Sequence, residues 1–349
     1  MALALRIGYA VVGPGNLARN AILPAFAHCK YARLVAVVGR DSKKASDLGA
    51  KFKAPSSYSS DHYQDCLAHP EISAVYIVTP PALHEEFTVR AAEAGKHVLC
   101  EKPLAATVAQ SSRMVDACRK NGVLLMTAYR KYFEPSTLYL KSLVSSGALG
   151  RIDMIHTSFS EIFNPSIAPG WLLDPARAGG GPLMDLGVYC VNTSRWLAGE
   201  DPVEAAAQTW RHDRRRFKNV EEGVTFRLNF PSGLVLQGSS TYSAAISSFI
   251  FVQGSKGWVS LSPAFTYEDE RRVTGKIAGR LIDRRFKSLD EFALEIDAFS
   301  SAILKKMTVA PDGAQGHLDM IILHAIYESA KTRQPVTINY FPKEHLHGR

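Results

Sequence analysis

The sequence lacks long apolar runs, paired cysteines and low-complexity segments. No apolar run reaches the roughly 18 residues that a membrane-spanning helix needs. The five cysteines are scattered without a C-x-x-C pair, which favours reduced, packed thiols, and no metal site is expected: Cys29, Cys66, Cys100, Cys118 and Cys190. The first residues, MALALRIGYAVVG, carry neither a basic leader nor a cleavage site, so we expect a cytoplasmic protein with no membrane partner.

The remaining composition is that of a globular protein with a basic balance. The 349 residues are 46% hydrophobic and 21% charged, which is enough for two domains that each bury a core. The net charge of +8 is densest at RHDRRRFKN, residues 211–219. Because this run holds one aromatic residue and no nucleic-acid fold signature, it favours a solvated loop and no nucleic acid partner. A basic surface also suits a phosphorylated cofactor.

The pattern of residues 1–129 predicts an α/β, doubly wound parallel sheet. Short β-rich runs alternate with segments of helical spacing, as in βαβ units. The β-rich runs are RIGYAVVG, RLVAVVG, AVYIVTP, HVLCEK and LLMTAY. The helical segments are LARNAILPAFAHC, SKKASDLGAKF, LHEEFTVRAAEAG and TVAQSSRMVDACRKNG.

The pattern of residues 130–349 predicts a second, α+β domain. VTFRLNF alternates apolar and polar side chains, and PSG then turns the chain into LVLQGSSTY. With RIDMIHTSFS, VEAAAQTW, SSFIFVQGS and GWVSLS, this predicts about six strands in an antiparallel or mixed sheet. Helices are expected near 182–198, 289–307 and 314–333. A cleft between the two domains is the expected ligand site.

The stretch VVGPGNLARN follows the first predicted strand and indicates a dinucleotide site. Gly13 would form the tight turn, Gly15 would let backbone N–H groups approach a pyrophosphate, and Ala18 would allow close helix packing. The pyrophosphate would lie at the helix N-terminus, where unpaired N–H groups and the dipole favour negative charge. A glycine turn before a helix is common by itself, but its position on the first strand of a βαβ repeat favours cofactor binding.

The second predicted strand ends in VVGRDSKK, which favours NADP over NAD. NAD-selective proteins place an acidic residue here to bind the ribose 2′-hydroxyl, but this chain has Gly39. Arg40 and Lys44 follow, and their cations suit a 2′-phosphate. Asp41 is close enough in sequence to reach the ribose, and the alternative interpretation is an exposed, charged helix start.

Three ordered motifs identify a family: TPPALH at 79–84, AGKHVLCEKPLA at 94–105 and GGGPLMDLGVY at 179–189. The sequence resembles the Gfo/Idh/MocA oxidoreductases from about Ile7 to Tyr340, and within them the glucose-fructose oxidoreductase group. The resemblance implies a Rossmann domain at 1–129 and a substrate-binding α+β domain at 130–349 with an open-faced, mostly antiparallel sheet. It also implies a cis peptide bond at Lys102–Pro103 and a homo-oligomer, dimer or tetramer, that forms through that sheet.

The resemblance carries over a set of site residues. The implied catalytic residues are Lys102 of the EKP motif, Asp185 and Tyr189. The implied cofactor contacts are Gly13, Gly15, Asn16, Leu17, Arg40, Lys44, Tyr58, Thr79, Pro80, His84, Glu101, Lys102, Arg130, Trp171 and Tyr267.

Hydride chemistry requires such residue types independently of the resemblance. When a sugar carbon exchanges a hydride with nicotinamide, a proton must leave or join the oxygen on that carbon, and the cofactor carries no proton. Asp185 and Tyr189 would share one face of a helix that begins near Pro182. The ordinary pKa of tyrosine is about 10, so a tyrosine acts as a base near neutrality only beside a positive charge such as Lys102. The alternatives are a core tyrosine, a helix-start aspartate, a surface lysine and, for His84, a structural histidine.

Three functions remain open at the level of sequence. The first is an NADP-dependent aldose oxidoreductase that oxidises a pyranose at C1 to the lactone and passes the hydride to a second sugar. The second is a simple sugar or polyol dehydrogenase or reductase that exchanges its cofactor with solution in each turnover. The third is a non-catalytic regulator that senses the dinucleotide. The presence of Lys102, Asp185 and Tyr189 together argues against a regulator, which does not need all three.

Overall fold

The computed structural model describes residues 6–267 and 269–340 and divides into two compact units. The first unit runs to Glu134 and also includes Leu289–His317. The second unit contains Pro135–Ser288 and the chain from Leu318 onward. Each unit combines a β-sheet with helices, which confirms the predicted fold class.

The first unit is built on a six-stranded parallel sheet with the order β3-β2-β1-β4-β5-β6. Its strands are β1 (Ile7–Val12), β2 (Ala32–Gly39), β3 (Ser56–Ser59), β4 (Ala74–Ile77), β5 (His97–Glu101) and β6 (Leu125–Ala128). Its helices are α1 (Leu23–Ala25), α2 (Ser42–Lys51), α3 (Tyr63–Ala68), α4 (His84–Glu93), α5 (Val108–Lys120) and α9 (Glu291–Lys305), and a π-helical turn (Ala18–Ile22) precedes α1.

The central strands of this sheet are nearly all apolar because helices cover both of its faces. Every residue of β1 is buried, and so are seven of the eight residues of β2. Strand β1 lies between β2 and β4, which is where the winding of the chain changes direction. The predicted doubly wound sheet is therefore confirmed, and ligands of such sheets bind outside the carboxyl ends of the strands at this point.

Helix α9 belongs to the first unit, whereas the predicted boundary at 129/130 places residues 289–317 in the second domain. Phe292, Ile296 and Phe299 lie on one face of α9 and join the core that contains Tyr9 and Phe26. The apolar periodicity shows that a helix has a buried face but does not show which sheet covers it. The division at 134/135 and the return of the chain at 289 thus differ from the single predicted boundary at 129/130.

The second unit contains a nine-stranded mixed sheet with the order β14-β13-β12-β11-β7-β10-β9-β8-β15. Its strands are β7 (Ile152–Ile162), β8 (Glu204–Trp210), β9 (Gly223–Asn229), β10 (Val235–Thr241), β11 (Ser243–Gly254), β12 (Gly257–Ser262), β13 (Arg271–Ile277), β14 (Arg280–Phe286) and β15 (Val336–Thr337). Its helices are α6 (Pro135–Ser145), α7 (Pro175–Ala178), α8 (Val188–Ala198) and α10 (Gly313–Thr332), whose first turn lies in the first unit. Only β7 and β10 pair in parallel, so the sheet is mostly antiparallel as predicted.

The prediction of about six strands was wrong because it missed β13, β14 and β15. Strands β13 and β14 form a hairpin from the basic stretch around 271–286, and Arg272 pairs with Asp283 across it at 2.5 Å. Charged, exposed side chains on this hairpin hide the apolar alternation by which a strand is recognised. None of the described helices is both long and apolar enough to cross a bilayer.

Candidate functional site

The two glycines that the sequence singled out lie in the turn after β1, and they lack a side chain for different reasons. Gly13 has φ +94°, and a Cβ atom on it would lie 2.9 Å from the backbone nitrogen of Thr79. Its N–H donates to the carbonyl of Val38 at 2.9 Å, which ties the turn to β2. A Cβ atom on Gly15 would meet no protein atom closer than 4.0 Å. Gly13 therefore has no side chain because protein atoms fill the space that a Cβ atom would need. The corresponding space beside Gly15 is open to a ligand.

The helix that follows begins with a π-helical turn that sequence reasoning did not predict. Asn16 and Leu17 lead into Ala18–Ile22, and Ala18 is fully buried, as close helix packing requires. No side chain caps this helix start. The N–H of Arg19 donates to the carbonyl of Gly15 at 3.0 Å, and a helix N-terminus without a side-chain cap is the arrangement that binds phosphates.

The residues after β2 have separate structural roles. Gly39 lacks a Cβ atom because the ring of Pro14 would lie 2.7 Å from it, so an acidic side chain has no room there. The carboxylate of Asp41 accepts from the N–H of Lys44 at 3.0 Å and caps α2. Arg40 is exposed, and no other group in the described ranges pairs with its guanidinium. Asp41 is therefore engaged by the helix, while the side-chain cations of Arg40 and Lys44 have no partner within the described part of the chain.

Tyr58 lies on β3 beside this end of β2. It is half-buried, pairs with Val38 in the sheet register and lines a depression together with Ser42 and His62. One lining residue, Ser42, follows Arg40 by two positions, so the depression lies at the carboxyl edge of the sheet.

His84 ties together the segments that follow β4 and β5. Its Nε2 lies 2.8 Å from the carbonyl oxygen of Thr79, and its Nδ1 lies 3.2 Å from that of Leu104. Burial lowers the pKa of His84, so the ring is neutral near pH 7 and donates to one of the two carbonyls at a time. The ring is fully buried, which matches the structural alternative for this histidine. The neighbouring Pro80 precedes a 3-10 turn.

Glu101 and Lys102 lie at the end of β5. The carboxyl group of Glu101 is buried and shares the hydroxyl of Tyr76 with a second buried acid, Glu295. The hydroxyl of Tyr76 is 2.8 Å from Glu101 and 3.1 Å from Glu295 on α9. A phenol has one proton, so the second contact requires a proton on one of the two acids. Burial and the nearby charge of Glu101 hold the pKa of Glu295 well above its ordinary range. A protonated Glu295 can donate to Tyr76 while Tyr76 donates to Glu101, and the raised pKa of Glu295 favours this arrangement.

Glu101 in turn orients the chain at Lys102. Its second carboxylate oxygen accepts from the N–H of Lys102 at 3.2 Å. The Lys102 side chain is half-buried, and the Lys102–Pro103 peptide bond is cis, as the resemblance implied.

Arg130 follows β6 and is buried in an ion pair. Its guanidinium lies 2.5 Å from Glu291 and over the ring of Phe292, while Lys131 contacts the same carboxylate at 2.9 Å. The first unit thus brings most of the proposed cofactor residues to the carboxyl edge of its parallel sheet, since they follow β1, β2, β4, β5 and β6 in turn.

In the second unit, Asp185 lies in a π-helical turn, Leu183–Gly187, that runs directly into α8. The prediction assumed a regular helix from Pro182. π-Helical turns are rare in proteins overall, but many of those that occur lie at functional sites. The hydroxyl of Tyr242 donates to Asp185 at 2.9 Å. Asp185 does not cap the helix but is held by a tyrosine that sequence reasoning missed, because nothing in LVLQGSSTY marks its last residue.

Tyr189 lies on the first turn of α8, in an aromatic cluster. Its ring stacks on Phe265 with the centroids 5.7 Å apart and meets the edge of Phe159 at 6.0 Å. Only 6% of the residue is exposed. The packing fixes the ring and therefore the position of its hydroxyl.

The two other residues assigned to cofactor binding in this unit are Trp171 and Tyr267. Trp171 is half-buried in a short 3-10 turn, and Tyr267 is 37% exposed. Their part in cofactor binding stays a prediction.

Two family models match the chain. One, described as the oxidoreductase family with an NAD-binding Rossmann fold, matches residues 7–129, and the GFO/IDH/MocA C-terminal domain matches residues 137–260. The chain belongs to the Gfo/Idh/MocA oxidoreductase family. The predicted family is confirmed, and so is the prediction of an enzyme.

Individual relatives and solved structures are similar over nearly the whole chain. A D-xylose 1-dehydrogenase [NADP(+)] from Haloarcula marismortui is 31% identical over 337 residues, which are 95% of this chain and 93% of the relative. The structure of an aldose-aldose oxidoreductase from Caulobacter crescentus, complexed with glycerol, is 36% identical, with a TM-score of 0.90 and coverage of 95% and 99%. A 3-ketoreductase from Actinomadura kijaniata, in complex with NADP, is 25% identical, with a TM-score of 0.82 and coverage of 93% and 98%.

Proposed function

We propose that this protein is an NADP-dependent sugar oxidoreductase that oxidises an aldose at C1 to the lactone. The observation that carries the proposal is that two relatives named for aldose chemistry each cover 95% of the chain. One is named a D-xylose 1-dehydrogenase and the other an aldose-aldose oxidoreductase, so oxidation at C1 is the reaction that fits both names.

NADP is the cofactor that the first unit fits. The turn at Gly13 and Gly15, the helix start without a side-chain cap, and Arg40, which has no partner among the residues described, suit a dinucleotide with a 2′-phosphate. NAD-selective proteins carry an acidic residue at the end of the second strand, where this chain has Gly39, and Pro14 leaves no room for such a side chain. The predicted NADP is confirmed by the relatives, since one is named for NADP(+) and another was solved with NADP.

We assign the reaction to Lys102, Asp185 and Tyr189. When bound, NADP+ accepts the hydride that leaves C1 of the sugar. Tyr189, as the phenolate, takes the proton from the C1 oxygen as the carbonyl forms and becomes the phenol, and the ammonium of Lys102 donates a hydrogen bond to the C1 oxygen. Asp185, held by Tyr242, accepts a hydrogen bond from a sugar hydroxyl and orients the ring. The sugar thereby loses one hydride and one proton and becomes the lactone.

The two relatives differ in what their names imply for the hydride. The name aldose-aldose oxidoreductase supports return of the hydride, with a proton, to the carbonyl carbon of a second sugar, which becomes an alcohol. The name D-xylose 1-dehydrogenase supports release of the reduced cofactor. The structure of the aldose-aldose oxidoreductase shares more identity with this chain, so we place recycling first.

The test is a product balance with purified protein, a trace of NADP+ and an excess of D-xylose or D-glucose. Recycling predicts lactone and alditol in equal amounts, both far above the amount of cofactor. A simple dehydrogenase would give lactone equal to the NADPH formed and no alditol. Failure to form any lactone with aldoses would contradict both forms of the proposal.

A further inference from the structure

A buried carboxylate of the second unit binds the start of the helical stretch that contains Asp185 and Tyr189. One oxygen of Glu221 accepts from the N–H of Gly181 at 3.1 Å. The other oxygen accepts from the N–H of Leu183 at 3.1 Å and from the hydroxyl of Tyr327 at 2.8 Å. Glu221 thus satisfies two N–H groups that the beginning of a helix otherwise leaves without partners.

Two glycines of the GGGP motif, Gly180 and Gly181, have no room for a Cβ atom because Tyr327 and Glu221 occupy the space beside them. A Cβ atom on Gly180 would collide with the hydroxyl of Tyr327. A Cβ atom on Gly181 would lie 2.6 Å from the backbone oxygen of Glu221. The GGGPLMDLGVY motif and Tyr327 of α10 therefore meet at Glu221, which lies outside the motif.

We infer that Glu221 and Tyr327 are positioning residues for the reaction, because they fix the segment from which Asp185 and Tyr189 project. This inference rests on the proposed function. Asp185 lies two residues after the Leu183 amide that Glu221 binds, and the π-helical turn has no side-chain cap of its own. A shift of the turn would move both proposed catalytic side chains together, and a displacement of about 1 Å costs on the order of 100-fold in rate.

The three donors around Glu221 favour a charged carboxylate, but they only partly offset its burial. Burial raises the pKa of Glu221 overall, whereas the Tyr327 hydroxyl and the amides of Leu183 and Gly181 lower it in part. An amide in place of the carboxylate would set an N–H group against an N–H group of the backbone.

The test compares Glu221→Gln with the matched control Glu222→Gln. Glu222 is also buried and accepts from two backbone N–H groups, those of His212 and Asp213, and within the described residues no hydrogen bond joins its carboxylate to residues 179–182. We expect Glu221→Gln to lose stability, because its single remaining acceptor oxygen cannot replace both carboxylate oxygens and one buried N–H group loses its partner. Glu222→Gln should lose less, because both N–H groups there converge on one oxygen, which the amide carbonyl can replace. Only Glu221→Gln should slow single-turnover hydride transfer, by roughly 10- to 100-fold, with NADPH affinity within about two-fold of wild type. Tyr327→Phe should show a smaller loss of the same kind.

Equal hydride-transfer rates in the two Gln variants would overturn the inference. A second measurement does not depend on the proposed reaction: amide hydrogen exchange of the segment from Gly181 to Tyr189. Faster exchange there in Glu221→Gln than in Glu222→Gln is expected, and equal exchange would contradict the positioning role even if no aldose were oxidised. If the wild type oxidised no aldose while exchange was still faster in Glu221→Gln than in Glu222→Gln, the result would count against the proposed function and not against the positioning role.

Discussion

At the scale of single residues, Arg40 and Asp41 show why neighbouring charges are not equivalent. Asp41 caps α2, whereas Arg40 has no partner among the described residues. Arg40→Ala should therefore weaken NADP(H) binding much more than NAD(H) binding, since only the former has a 2′-phosphate to meet a guanidinium. Arg33→Ala is the control, because Arg33 lies at the other end of β2 and pairs with Glu71 at 2.7 Å. Titration of cofactor fluorescence measures both affinities, and an equal loss for both cofactors in Arg40→Ala would refute the assignment.

The hydroxyl of Tyr189 can be removed with little change in packing. Tyr189→Phe keeps the ring stacked on Phe265, so folding and NADP(H) affinity should remain close to wild type. The hydride-transfer step alone should slow by about 10² to 10⁴-fold, as for a lost general acid–base group. Single-turnover absorbance of the nicotinamide with an aldose is the measurement. A rate within a few-fold of wild type would mean that another group carries the proton.

At the scale of elements, α9 places an acid beneath the end of β5. Glu295 faces the phenols of Tyr76 and Tyr9, the carboxyl groups of Glu101 and Glu291, and the guanidinium of Arg130. Its pKa is raised in the folded chain, so the folded state binds a proton that the unfolded state releases above about pH 4.3. The stability due to this proton is fully present below that pH and is lost as the pH rises through the folded-state pKa.

Glu295→Gln tests this protonation, because the amide also donates to Tyr76 but does not titrate. The free energy of unfolding of wild type, relative to the variant, should fall by up to about 1.4 kcal/mol per pH unit above pH 4.3. Denaturant melts from pH 4 to 8 give the difference, with Glu93→Gln on the exposed side of α4 as control. A difference that does not change with pH would show that Glu295 is ionised in the folded protein.

Elements differ in how far the sequence predicts them. Strands β1, β2, β4, β5 and β6 were predicted because buried parallel strands are continuous apolar runs. Strand β3, SSYS, lies at the sheet edge with no apolar signal and was missed. The π-helical turns before α1 and α8 were also missed, because local periodicity does not distinguish them from an ordinary helix start.

The site is less predictable than the elements because its supports are distant in sequence. The turn at Gly13 was predicted from its place after an apolar strand. The partners of the site residues were not: Tyr242 lies 57 positions from Asp185, and Glu295 lies 219 positions from Tyr76. No local pattern marks such pairs, so they require the tertiary structure.

At the scale of the whole molecule, the nine-stranded sheet is the surface through which we propose that copies of the chain associate. Helices α6 and α8 pack on its strands, whereas Gln208, Arg227 and Gln237 project exposed from neighbouring strands. Light scattering at micromolar concentration should give a dimer or tetramer, and Gln237→Glu with Arg227→Glu should reduce the mass. A wild-type monomer at that concentration would contradict this proposal.

The central claim is that the protein moves a hydride from C1 of an aldose to NADP. The most direct measurement uses D-xylose that carries deuterium at C1, with the nucleotide extracted from denatured protein after a single turnover and analysed by mass spectrometry. The account predicts reduced cofactor that contains one deuterium, with the lactone free of it. Reduced cofactor without deuterium, or no reduction with D-xylose or with D-glucose labelled in the same way, would contradict it.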